Sequence, residues 1–107
     1  HPVNGERLLE IGDIECIEAA RNYHSVYSGE REILLRETLA SLDARLADHG
    51  FLRPHRSYVV NRSQVAGVEA SDNGGQDLVL KSGRKVPLSR SRRDPVRAAL
   101  GLEKART

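Results

Sequence analysis

Hydrophobic and polar positions in this 107-residue chain repeat with two periods, and the shorter one dominates. Tyr23-His24-Ser25-Val26-Tyr27-Ser28 alternates and is rich in strand formers. Gly29-Glu30 supplies a turn, and Arg31 to Glu37 returns with Ile33, Leu34 and Leu35, which predicts a hairpin. Ahead of it, Leu8-Leu9-Glu10-Ile11 and Ile14 to Ile17 predict two short strands split by Gly12-Asp13, and Glu18 to Asn22 predicts a turn or bulge. Further on, Val65 to Ala70 and Asp77 to Lys81 predict strands joined by the turn cluster Ser71-Asp72-Asn73-Gly74-Gly75. Ser82-Gly83 turns again into Lys85 to Ser89, where Pro87 lacks an N–H and so marks an edge position.

The longer period appears once in full. Leu39, Leu42 and Leu46 make a single apolar stripe over Thr38 to His49. Thr38 is placed as the N-cap and Gly50 as the residue that ends the helix. The opposite face carries Asp43, Arg45 and Asp48, so the helix covers a core and reads no groove. A second, short helix is expected over Val96 to Leu100, opened by Asp94-Pro95. The fold class is therefore mainly β: about seven antiparallel strands in small packed sheets, an elongated sandwich or roll, with one main helix at 38–49 and a short C-terminal helix.

Between the helix and the last strands lies Phe51 to Val65, FLRPHRSYVVNRSQV. It sets Arg53, His55, Arg56, Asn61 and Arg62 around the β-branched run Tyr58-Val59-Val60, with no acid. Its middle reads as sheet and core, and its ends carry donors suited to an anionic partner. The charge distribution sharpens this. Residues 1–50 hold five Arg against ten Asp/Glu, whereas residues 81–107 hold nine Lys/Arg against two acids. An acidic first half and a basic last third suggest one face built for a polyanion.

Composition excludes other classes. The length corresponds to one domain, residues 1–107, with ends at 1–7 and 101–107 expected to be flexible. The lack of any Met suggests a fragment of a longer protein. One Cys, Cys16, forbids an internal disulfide, and no ligand spacing for a metal is present. No apolar run nears the roughly 18 residues of a membrane span, and residues 1–10 lack the features of a signal peptide. No nucleophile motif or phosphate-cradling glycine loop occurs, so no catalytic residue, cofactor or small-molecule substrate is assigned.

Three clusters of donors remain: Arg21-Asn22-His24, His55-Arg56 with Asn61-Arg62, and Arg90 to Arg93. Each lies at a strand end or in a loop. Asn can bind the N6/N7 edge of adenine, Arg can fork onto guanine O6/N7, and His can donate to a purine. Arg, Lys and Ser suit phosphate oxygens. Aromatic content is 4%, too low for stacking unpaired bases, so duplex DNA is favoured over RNA.

Four stretches carry a resemblance. They are Ile14-Glu15-Cys16-Ile17-Glu18-Ala19 with Asn22-Tyr23-His24, the helix from Leu39 to Leu46, FLRPHRSYVVN from Phe51 to Asn61, and VPLSR from Val86 to Arg90. Over roughly residues 8–100 the chain resembles the LytTR family, mostly bacterial DNA-binding output domains of transcription regulators. The resemblance implies small antiparallel sheets with one main helix, and DNA reading from loops. It implies base contacts from His24, Asn61 and Arg90, with Arg62, Ser89, Ser91, Arg92 and Arg93 at phosphates. It also implies a dimer on paired sites, a cytoplasmic location for the domain, and a receiver domain or a membrane or sensor segment ahead of it. His55 and Arg56 are left divided between bracing a turn and touching DNA. Two other readings stand beside this one: an RNA-binding β module, and a protein-interaction module whose basic edge docks an acidic partner.

Overall fold

The computed structural model describes residues 10–102. Among these, eight strands and two helices form two antiparallel sheets. The first sheet contains β1 (Cys16–Ala19), β2 (His24–Ser28), β3 (Arg31–Leu35), β4 (Phe51–His55) and β5 (Tyr58–Asn61), in the order β3-β2-β1-β5-β4. The second contains β6 (Val65–Ala70), β7 (Gln76–Leu80) and β8 (Lys85–Leu88), in chain order. Helix α1 spans Leu39–Leu46 and α2 spans Arg93–Ala99.

Both faces of the five-stranded sheet are covered, and period two sorts its residues between them. Ile17, Val26, Phe51 and Val59 point toward α1, where they meet Leu39, Leu42 and Leu46. Their chain neighbours Cys16, Tyr27, Leu52 and Val60 point the other way. They pack with Leu78, Leu80, Val86 and Leu88 of the second sheet and with Val96 of α2. This explains why Cys16-Ile17 and Val59-Val60 are apolar at consecutive positions. Cys16 is fully buried, and that burial pushes its thiol up to about 12.

Local chemistry sets the ends of α1. Thr38 is extended and its hydroxyl accepts from the Ser41 N–H at 3.0 Å, capping the helix as expected. A 3-10 turn (Ala47–His49) follows, and Gly50 closes it at φ 82°, a left-handed backbone that favours glycine. The stripe stops at Leu46, so the expected helix of 38–49 is an eight-residue α-helix and a tighter turn.

Two strand expectations need correction. Phe51–His55 is a strand, although Arg53, Pro54 and His55 hide it in the sequence. It is the sheet edge, where the missing N–H of Pro54 is tolerated. Ile11 belongs to a 3-10 turn (Ile11–Asp13), so it does not continue a strand. Leu8 and Leu9 lie outside the described residues, as do residues 1–7 and 103–107, where flexible ends were expected. Pro87 stands on β8, the edge of the second sheet, as anticipated. Among the described residues no helix is long and apolar enough to cross a membrane.

Candidate nucleic-acid interface

Two-residue turns build the basic end of the molecule. β4 and β5 form a hairpin whose last pair is His55 with Tyr58, so Arg56 and Ser57 occupy the tip. His55 braces that turn: its Nδ1 accepts from the Ser57 N–H at 3.0 Å. The acceptor role of Nδ1 leaves the ring proton on Nε2. Burial, with the cations of Arg56 and Arg92 nearby, holds His55 below the ordinary imidazole range, which favours this neutral form. Arg53 braces the other side. It donates to the Arg56 carbonyl at 2.7 Å and pairs with Asp43 of α1 at 3.4 Å. Arg56 itself is exposed at the tip.

The other clusters are drawn to the same end. The Ala19 N–H donates to the Ser57 carbonyl at 2.8 Å, and Ala19 pairs with His24. His24 therefore lies two strands from the hairpin tip, about 10 Å at ordinary strand spacing. The exposed loop Arg21-Asn22 joins them, closed by the Ala20 N–H donating to the Tyr23 carbonyl at 2.9 Å. His24 Nδ1 is buried with no protein partner. On the far side, the Ser89 N–H donates to the Pro54 carbonyl at 2.8 Å, and Arg92 Nη1 reaches the Arg53 carbonyl at 3.5 Å. The edge strand thus pins the segment Ser89-Arg90-Ser91-Arg92-Arg93, a 3-10 turn (Arg90–Arg92) running into α2. Arg90 and Ser91 are exposed, while Arg92 and Arg93 are half-buried.

Asn61 and Arg62 are not part of this gathering. They stand at the opposite end of β5, roughly 13 Å away at about 3.3 Å per strand residue. Asn61 is 4% exposed and its amide is fully engaged. Nδ2 donates to the Ile14 carbonyl at 2.8 Å and approaches that of Gly12 at 3.4 Å. Oδ1 accepts from the N–H and the hydroxyl of Ser63 at 3.0 and 2.9 Å, capping a 3-10 turn (Arg62–Gln64). Arg62 is exposed, but its Nε donates to the Ala99 carbonyl of α2 at 2.6 Å. Of the eight residues that the resemblance assigns to DNA, six lie at this end. Arg21, Asn22 and Arg56 from the donor clusters lie with them, and nothing in the sequence alone ranked Arg56 above Asn61.

The acids near this end are engaged or set to one side: Asp43 pairs with Arg53, and Asp77 lies across a cleft from Arg90 and Arg93. Glu18 accepts from the Tyr58 hydroxyl at 3.1 Å and the Tyr27 hydroxyl at 3.5 Å, so its carboxylate faces tyrosines. Burial and that hydrogen bond push Tyr58 up to about 12.

A family model described as the LytTr DNA-binding domain matches residues 5–101. The sensory transduction protein LytT of Enterococcus faecalis is 28% identical over 94% of this chain and 43% of its own. The transcriptional regulatory protein BtsR of Escherichia coli is 32% identical over 89% of this chain and 39% of its own. The chain thus spans about two fifths of the length of these curated relatives. Among solved structures, the LytTr DNA-binding domain of a protein described as a methyl-accepting/DNA response regulator from Bacillus cereus superposes with a TM-score of 0.77. It shares 24% identity and covers 87% of this chain and 85% of its own.

Proposed function

The chain belongs to the LytTr DNA-binding domain family, and from that premise we propose that it binds duplex DNA sequence-specifically through one end of its five-stranded sheet. The observation that carries the proposal is the convergence of three separate sequence clusters on that end. The loop at Arg21 to His24, the hairpin tip at Arg56 and the segment Ser89 to Arg93 are tied by backbone hydrogen bonds. Among the described residues the exposed donors of this end, Arg21, Asn22, Arg56 and Arg90, stand in loops and turns, so reading falls to loops held by a rigid sheet.

In this reading His24, Arg56 and Arg90 meet base edges. Arg90 and Arg56 are exposed guanidiniums able to fork onto guanine. Ser89, Ser91, Arg92 and Arg93 hold phosphates and fix register. Asn61 holds the β5 exit in place instead of reading a base, and Arg62 stays off the face. The role is binding without catalysis. The domain serves as the cytoplasmic output end of a longer transcription regulator, preceded by a receiver or a membrane-linked sensor, and two copies occupy paired sites.

Selection from a random duplex pool tests the reading. A recovered motif is expected, bound far more tightly than random duplex. With about five phosphates engaged, log K falls against log salt with a slope near −4 to −5. Arg56→Ala and Arg90→Ala each weaken target binding by about 1–3 kcal/mol without unfolding the chain. A pool that yields no motif overturns the proposal.

A further inference from the structure

Beside the proposed DNA face, a cleft of about 310 Å³ separates the end of the second sheet from the hairpin tip. His55, Ser89, Arg90 and Arg93 line one wall, and Gln76 and Asp77 line the other. Six buried side-chain polar atoms in the described residues lack a hydrogen-bond partner, and three belong to this cleft: Gln76 Oε1, Ser89 Oγ and Arg93 Nε. Buried polar groups in native proteins are nearly always satisfied, so three orphans in one cleft mark a place where something polar binds.

Gln76 is the informative one. It shares the inner face of β7 with Leu78 and Leu80, and it pairs across the sheet with Leu88. The alternation calls for an apolar residue at this position, to extend the core. The sequence supplies an amide whose oxygen is buried without a donor. The donor wall of Ser89, Arg90, Arg93 and the Nε2–H of His55 suits a phosphate. The acceptor wall suits an amino group. One nucleotide offers both.

We propose that Gln76 is a further specificity-determining residue, which reads an adenine beside the phosphate held at Ser89 and Arg93. On binding, the Gln76 amide turns into the cleft, where Oε1 accepts from the adenine N6 amino group and Nε2 donates to N7. This rests on the proposed DNA-binding reading and adds a contact from the second sheet to it.

The test uses the duplex recovered by the wild-type chain and its full set of single-base-pair variants, with binding and thermal stability measured together. Gln76→Leu is expected to fold with equal or higher stability, because it removes an orphaned polar atom from the inner face. It should lose about tenfold in discrimination at one A·T pair and leave random-duplex affinity unchanged. Gln76→Glu keeps an acceptor and loses the amide donor, so preference at that pair should move from adenine toward cytosine. If both variants discriminate at every position as the wild type does, the cleft holds only water and the inference fails. If the wild type itself does not separate target from random duplex, it is the underlying reading that fails.

Discussion

Replacing Asn61 with Ala separates a structural residue from a base reader. The amide makes a 2.8 Å bond to the Ile14 carbonyl and accepts two bonds from Ser63 at 3.0 and 2.9 Å, all at 4% exposure. Each such bond contributes about 0.5–1.5 kcal/mol net, and leaving the Ile14 carbonyl without this donor costs about 1–3 kcal/mol. Loss of the cap on the following turn costs about 0.5–2 kcal/mol. These terms overlap, so Asn61→Ala should destabilise the fold by about 2–4 kcal/mol. For a chain of this size that lowers Tm by about 10 °C or more. Urea unfolding should show a lower midpoint at unchanged slope. Below the transition, the ratio of target to random-duplex affinity should match the wild type. A variant of wild-type stability that has lost base discrimination would refute the reasoning and return Asn61 to the DNA face.

Three further outcomes follow from the same geometry. Arg56→Ala should weaken target binding by about tenfold or more in an anisotropy titration, whereas Arg62→Ala at the far end should change it less than twofold. The folded state holds His55 below its ordinary value, so the fold favours the neutral ring. The stability linked to it is present above about pH 6.5 and is lost as pH falls through the lowered value. His55→Gln should flatten the dependence of Tm on pH between about 7 and 5; an unchanged profile counts against the brace. Cys16, buried between the sheets with its thiol pushed up to about 12, should resist alkylation at pH 8 and react fully in denaturant. Rapid labelling of the native chain would show that the two sheets separate.

Much of this architecture was legible where local pattern and burial agree. Leu39, Leu42 and Leu46 announce α1, and the alternation across Gly29-Glu30 announces the β2–β3 hairpin. β4 was illegible because an edge strand makes weak demands: it accepts Arg53, Pro54 and His55, which sequence patterns assign to loops. Asn61 carries two readings for a different reason. The same carboxamide that reads adenine can cap a turn and hold a buried carbonyl, and only its depth beneath Ile14 and Ser63 separates the two. Arg56 has the opposite history. Its neighbours His55 and Arg53 brace the turn, which leaves it exposed at the tip. Residues far apart in sequence meet through backbone bonds, such as Ser89 to Pro54 and Ala19 to Ser57. No local pattern encodes those.

The central claim is that the DNA face lies at the hairpin-tip end of the sheet. Amide NMR of the chain titrated with its selected duplex measures that directly. The largest shift changes should fall on residues 20–24, 55–57 and 89–93, with residues 49–50 and 61–63 at the opposite end little affected. Changes centred on Asn61 to Ser63, with the hairpin tip unmoved, would contradict the account.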